Sequence, residues 1–178
     1  GSACVRLLKE KGYENILVRT RQGVDLTNPE ATRAFFEETR PEYVIDAAAK
    51  VGGILANKTY PVDFLEINVL CQINLMRAAH SVGVKKFLFL GSSCIYPKFA
   101  EQPMTEDALL TGKLEPTNDA YAIAKISGIM QGEAYQRQYG DCYISAMPTN
   151  LNGPGDNIDL QSSQVLPAMN RRIQEAKK

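Results

Sequence analysis

Four short β-branched or apolar runs punctuate this chain, and no hairpin turn joins any two of them. They are "NILVRT" (15–20), "YVIDAAAK" (43–50), "KKFLFLG" (85–91) and "CYISAM" (142–147). Helical patterns fill the spaces between. Residues 2–11 read as a helix stopped by Gly12. "LTNPEATRAFFEETRP" offers Thr27 and Asn28 as caps, places Pro29 in the first turn and ends before Pro41. From Val62 to Val82, Phe64, Ile67, Leu70, Cys71, Leu75 and Ala78 recur at helical spacing; Gly83 closes that helix. Asp119–Tyr139 reads as a second long helix and Ser163–Lys178 as a last one, while "VGGILANKTYP" reads as a loop. Strands joined through helices must run parallel, which leads to a doubly wound α/β sheet with its sites at the C-terminal strand ends.

The totals narrow the function. The 178 residues suffice for one compact core, and 20 basic residues balance 20 acidic ones. Zero net charge gives no electrostatic reason to expect nucleic acid or an anionic membrane. No apolar run approaches the ~20 residues that span a bilayer, and the start carries no basic-then-apolar signal region. The four cysteines, Cys4, Cys71, Cys94 and Cys142, form no CxxC pair. Three of them sit in apolar, element-like surroundings, so the expectation is reduced core thiols in a cytoplasmic protein. With a single histidine, His80, no histidine-based metal site is expected; near a helix end, its expected job is to cap that helix.

Two segments carry chemistry. "FLFLGSSCIYPK" (87–98) ends a buried-looking strand in Ser92, Ser93 and Cys94, where such sheets place reactive groups. Ser93 reads as a backbone-bonding turn residue. "YAIAK" places Tyr121 and Lys125 on one face near the start of a helix. An ammonium there should stabilise phenolate and lower the phenol's pKa from its ordinary ~10, making Tyr121 a general acid for a carbonyl oxygen, with Ser92 as the second hydrogen-bond partner. Alone, the YxxxK spacing is as well explained by a solvated helical face. Together with the strand-end serines it points to reductase chemistry.

"AAAKVGGILANKTYPVDF", "FLFLGSSCIYPK", "LEPTNDAYAIAKISGI" and "MPTNLNGPGDN" extend this into a resemblance to the extended short-chain dehydrogenase/reductase family, and within it to the GDP-L-fucose synthases. The resemblance implies a Rossmann-like doubly wound parallel sheet. It also implies NADPH-dependent conversion of a GDP-keto-sugar, GDP-4-keto-6-deoxy-D-mannose, to GDP-L-fucose, with epimerisation at C3 and C5 followed by reduction at C4. Ser92, Tyr121 and Lys125 then form the reductase triad and Cys94 is the epimerisation base. The cofactor contacts it implies are Gly1, Arg21, Asp25, Leu26, Leu90, Ser92, Lys125, Pro148, Leu151 and Gln164, and Arg172 is its substrate contact. "VRTRQGVDL" carries Arg19 and Arg21 where NAD-selective sites carry an acid, which favours NADP. Homodimerisation through helices 62–82 and 119–139 is implied as well. Residues 1–155 are expected to form the NADP-binding domain and 156–178 the start of the substrate-binding region.

The chain departs from that pattern in three places. At most the last glycine of the GxxGxxG loop is present, as Gly1, and the strand before it is missing. That strand is central in the order 3-2-1-4-5, so a gap is expected in the sheet. Gln164, in "SQVLPA", stands where the family has a histidine acid, so the acid half of epimerisation should be impaired and ketone reduction retained. The family also continues well past Lys178. Two alternatives therefore stay open: a neighbouring nucleotide-sugar 4-epimerase or dehydratase, and a non-catalytic nucleotide-binding fragment.

Overall fold

A computed structural model describes every residue except 21, 160–162, 164, 177 and 178. In chain order the elements are α1 (Ser2–Glu10), α2 (Pro29–Thr39), β1 (Tyr43–Asp46), α3 (Ile54–Thr59), α4 (Pro61–Ser81), β2 (Lys86–Leu90), α5 (Asp119–Tyr139), β3 (Tyr143–Ala146) and α6 (Val165–Ala176). The three strands form one parallel sheet in the order β1-β2-β3, with Asp46 opposite Phe89 and Phe89 opposite Ser145. This is the Rossmann-like arrangement expected from the alternating pattern.

Local signals account for the helix ends. Asn28 accepts the Ala31 N–H at 2.9 Å and Pro29 supplies the first turn of α2. Gly12 and Gly140 take left-handed conformations just beyond α1 and α5 (φ 83° and 77°), which only glycine adopts without strain.

One face of the sheet carries Phe87, Phe89 and Tyr143 into the core, where α4 and α5 cover them. The two helices approach closely at Gly128. A Cβ built there would lie 2.4 Å from the Phe89 ring and 2.7 Å from Gln72 Oε1. Gln72, buried in α4, donates to the Ala124 carbonyl at 2.9 Å and to Ser127 Oγ at 2.7 Å, so its amide is satisfied across the same seam. On the opposite face Ile45 and Ile144 remain exposed.

Four expectations need correction. Residues 15–20 form no strand: they run irregularly, with Leu17 44% and Val18 52% exposed. A strand needs a ladder partner, and no described strand pairs with this run. "YVIDAAAK" pairs only as far as Asp46, whose carboxylate takes the Ala48 N–H at 3.0 Å and turns the chain out of the sheet. The supposed loop 51–61 contains α3, a short helix stopped one residue before Pro61. None of the four cysteines is in a disulfide; only Cys71 is buried, Cys4 and Cys94 are half-buried and Cys142 is exposed.

Because the Gly128 contact is with a buried ring and a satisfied amide, Gly128→Ala is expected to destabilise the fold by roughly 1–3 kcal/mol. Urea unfolding of the two proteins checks this.

Candidate functional site

β2 delivers the chain to Leu90 and Gly91, and the backbone then winds through a single tight turn, Ser93–Ile95. Gly91 is needed at the exit. Its N–H donates to Ala146 O at 2.8 Å, and an added Cβ would sit 3.1 Å from the Met147 sulfur. Ser92 caps the turn, its Oγ accepting the Cys94 N–H at 3.5 Å. The turn ends with the Tyr96 N–H directed at the Ser93 backbone carbonyl.

The first turns of α5 face this corner. Lys125, 4% exposed, donates from Nζ to the Leu90 carbonyl at 2.8 Å. The same ammonium lies 4.8 Å from the centroid of the Phe89 ring and 5.8 Å from that of Tyr121. Phe64 of α4 meets the Tyr121 ring edge-on at 6.2 Å and holds the phenol from behind. The loop after β1 is fixed by Asn68, which accepts the Lys50 N–H at 2.8 Å and donates to the Lys50 carbonyl at 3.0 Å.

Burial dominates the electrostatics here. The Tyr121 phenol is pushed up to about 12, first by desolvation and then by Cys94, while hydrogen bonding with Ser92 pulls the other way. The lowering expected from Lys125 is thus not realised, because its ammonium is directed at Leu90 O and the phenol is half-buried. Desolvation also raises the Cys94 thiol, against hydrogen bonding with Ser92, its own backbone N–H and the charge of Lys125. Lys125 itself is lowered by desolvation, opposed by Asp46, Cys94 and Cys71. Ser92, Cys94, Tyr121 and Lys125 therefore form one coupled group: two acids that burial keeps protonated, the Ser92 hydroxyl that favours the ionised form of each, and a buried cation.

The remaining expected contacts are more dispersed. Gly1 caps α1 close to the end of β1, since a Cβ built on it would be 3.9 Å from that of Ala47. Backbone N–H groups at the start of α1 are of the kind that hold a pyrophosphate. Asp25 accepts from Thr27 N–H and Oγ1 at 3.0 and 2.7 Å, and the Leu26 carbonyl accepts from Asn74 at 2.9 Å, so this corner is anchored to α4. Pro148 follows β3, whereas Leu151 is 71% exposed and Arg172 is exposed on α6. Arg21 and Gln164 lie outside the described residues. His80 caps nothing with its side chain. Its Nδ1 meets Asp141 Oδ2 at 2.7 Å and its ring packs on Tyr139, because Asp141 follows α5 at the same end of the helix pair.

The loop 97–116 walls a cavity of about 900 Å³ beside the turn, lined by Lys98, Phe99, Gln102, Thr105 and Lys113 among others. Among the described residues no cluster of three or more His, Cys, Asp or Glu could hold a metal, and no helix is long and apolar enough to cross a membrane. Sequence reasoning missed Asp46. Its signal was an acid in an otherwise apolar strand run.

The profile of the family described as "NAD dependent epimerase/dehydratase family" matches residues 1–178. The chain belongs to that family. It is 56% identical over 177 residues to GDP-L-fucose synthase 1 of Arabidopsis thaliana, covering 99% of this chain and 55% of that protein. With GDP-L-fucose synthase of Escherichia coli (strain K12) it shares 53% over 176 residues, 99% of this chain and 55% of that one. Among solved structures, a GDP-6-OMe-4-keto-L-xylo-heptose reductase from C. jejuni superposes with TM-score 0.96 at 38% identity over 99% of this chain and 51% of its own. A GDP-L-fucose synthetase from Naegleria fowleri bound to NADP superposes with TM-score 0.88 at 34% identity, over 99% and 58%. This epimerase/dehydratase-family chain thus spans about half the length of the curated relatives it matches.

A raised thiol reacts slowly at neutral pH, because only the thiolate attacks. Iodoacetamide at pH 7.5 is expected to modify Cys94 several-fold more slowly than the exposed Cys142. Ser92→Ala should slow Cys94 further by removing the hydrogen bond that favours its thiolate. Mass-spectrometric time courses of the two peptides check both.

Proposed function

We propose that this chain carries the cofactor-binding and proton-transfer half of an NADPH-dependent 3,5-epimerase and 4-ketoreductase that acts on GDP-4-keto-6-deoxy-D-mannose to give GDP-L-fucose. The observation that carries this reading is the meeting of Ser92, Cys94, Tyr121 and Lys125 at the C-terminal end of β2. The names of the relatives support the substrate, and the NADP-bound Naegleria neighbour supports the cofactor, as do Arg19 and Arg21 where an acid would select NAD. The start of α1 beside Ala47, the Leu90 carbonyl and the Lys125 ammonium fit a dinucleotide laid across the strand ends.

In this reading Cys94 loses its proton to solvent, and the thiolate then removes a proton from a carbon flanking the ketone. The resulting enolate oxygen is held by the hydroxyls of Ser92 and Tyr121. Cys94 returns its proton to solvent, while water protonates the enolate carbon from the opposite face and inverts the centre. Gln164 cannot give that proton, so inversion is slower than reduction. Bound NADPH supplies a hydride to C4. As the ketone oxygen becomes an alkoxide, Tyr121 gives it the phenol proton; an alkoxide is the stronger base even against a phenol raised to about 12. Solvent then reprotonates the phenolate, with the Lys125 ammonium 5.8 Å from the centre of its ring.

Residues 1–155 then make up the cofactor domain and 156–178 begin the substrate region, with Arg172 facing the sugar nucleotide. A second copy would dock along α4 and α5, where Val62, Leu70, Ile123 and Met130 stay exposed. Four cysteines outside any disulfide agree with a cytoplasmic setting.

The test is loss of NADPH absorbance at 340 nm in the presence of the keto-sugar. Tyr121→Phe should lower the rate by about 100-fold or more while leaving NADPH affinity within about twofold. Cofactor binding without keto-sugar-dependent oxidation would favour a nucleotide-binding module instead.

A further inference from the structure

Asp46 ends β1 with its side chain turned inward, 5% exposed, on the face of the sheet that carries Phe89. In register it stands opposite Phe89, and the Phe89 ring bears the Lys125 ammonium at 4.8 Å. Asp46 and Lys125 are thus opposite charges next to one aromatic ring. They make no ion pair within 4.0 Å, and Lys125 spends a hydrogen bond on Leu90 O while Asp46 Oδ1 takes the Ala48 N–H. The other groups facing this pocket are Cys71 from α4 and Cys94 from the turn after β2, both of which act electrostatically on Lys125. Lys50, in the loop after β1, is engaged elsewhere, paired with Asp63 at 2.6 Å.

We propose that Asp46 is a positioning residue: the buried countercharge that holds the Lys125 ammonium in place and in charge across the Phe89 ring. Its consequence for catalysis rests on the reductase reading above; the charge coupling itself does not. Burial drives the Asp46 carboxyl from 3.8 up to about 6, and Lys125 is the first influence that opposes this rise. Asp46 is correspondingly the first influence that offsets the desolvation of Lys125. Between pH 4 and 6 the folded carboxyl keeps a proton that the unfolded chain has released, so stability falls as pH rises through that window. An ionised, buried carboxylate is thus maintained at neutral pH against stability.

The bland alternative is that Asp46 only caps the turn through Ala48. Asp46→Asn separates the two, because the amide oxygen still accepts the Ala48 N–H while the charge is gone. Carboxyl carbon-13 NMR of the chain should show one aspartate titrating near pH 6 that is missing from Asp46→Asn and moves higher in Lys125→Met. Should Lys125→Met fail to fold, thermal unfolding of Asp46→Asn replaces it: its melting temperature should fall less between pH 5 and 8 than that of the unsubstituted chain. In the NADPH assay, Asp46→Asn should move the alkaline limb down by about one pH unit, with partial recovery in Asp46→Glu. No aspartate titrating above the ordinary range, or one indifferent to Lys125→Met, would overturn the proposal. The expected titration in a chain that never oxidises NADPH would uphold the coupling and sink the reductase reading.

Discussion

The 2.8 Å hydrogen bond from the Lys125 ammonium to the Leu90 carbonyl joins the first turns of α5 to the last residue of β2, and the site is organised around it. Burying an ammonium is costly unless it is hydrogen-bonded and sees opposite charge. The structure supplies both: a carbonyl acceptor, the π-face of Phe89, and the buried Asp46 carboxylate beyond that ring. Gly128 belongs to the same design, because only a residue without a side chain lets α5 approach Phe89 closely enough for Lys125 to reach the strand end. Packing of α4 against α5 and the electrostatics of Lys125 are therefore not separable features.

With Lys125 held in this way, Ser92 becomes the pivot between two acids. Its hydroxyl accepts the Cys94 N–H and favours the ionised form of both side chains, while burial favours the protonated form of each. Such a site stores protons at neutral pH and releases them only to a strong base, as a developing alkoxide would be. A corner built this way suits proton delivery to a carbonyl better than it suits a permanently ionised nucleophile.

Most of the helices and the core of the sheet were legible from local chemistry. Asn28, Pro29, Gly12 and Gly140 act within a few residues of themselves, and the apolar spacing of α4 reports one face of one helix. What was not legible depends on distant partners. Residues 15–20 have the composition of a strand, yet strand formation is a property of a pair, and no described strand stands next to them. The YxxxK spacing places Tyr121 and Lys125 on one face of α5. It cannot reveal that Lys125 is turned to Leu90 O, nor that burial outweighs its charge at the phenol. Asp46 was visible only as an oddity, because its meaning lies in Phe89, a residue brought beside it by the register of β1 on β2.

If Cys94 is the base proposed for it, this corner moves protons on a carbon next to a ketone. Incubating the chain with GDP-4-keto-6-deoxy-D-mannose in D2O, without NADPH, and following the sugar by proton NMR addresses that directly. Deuterium should enter at the carbons flanking the ketone in the unsubstituted chain and in Tyr121→Phe, but not in Cys94→Ser. Equal incorporation in Cys94→Ser, or none in the unsubstituted chain with the sugar nucleotide demonstrably bound, would contradict the assignment.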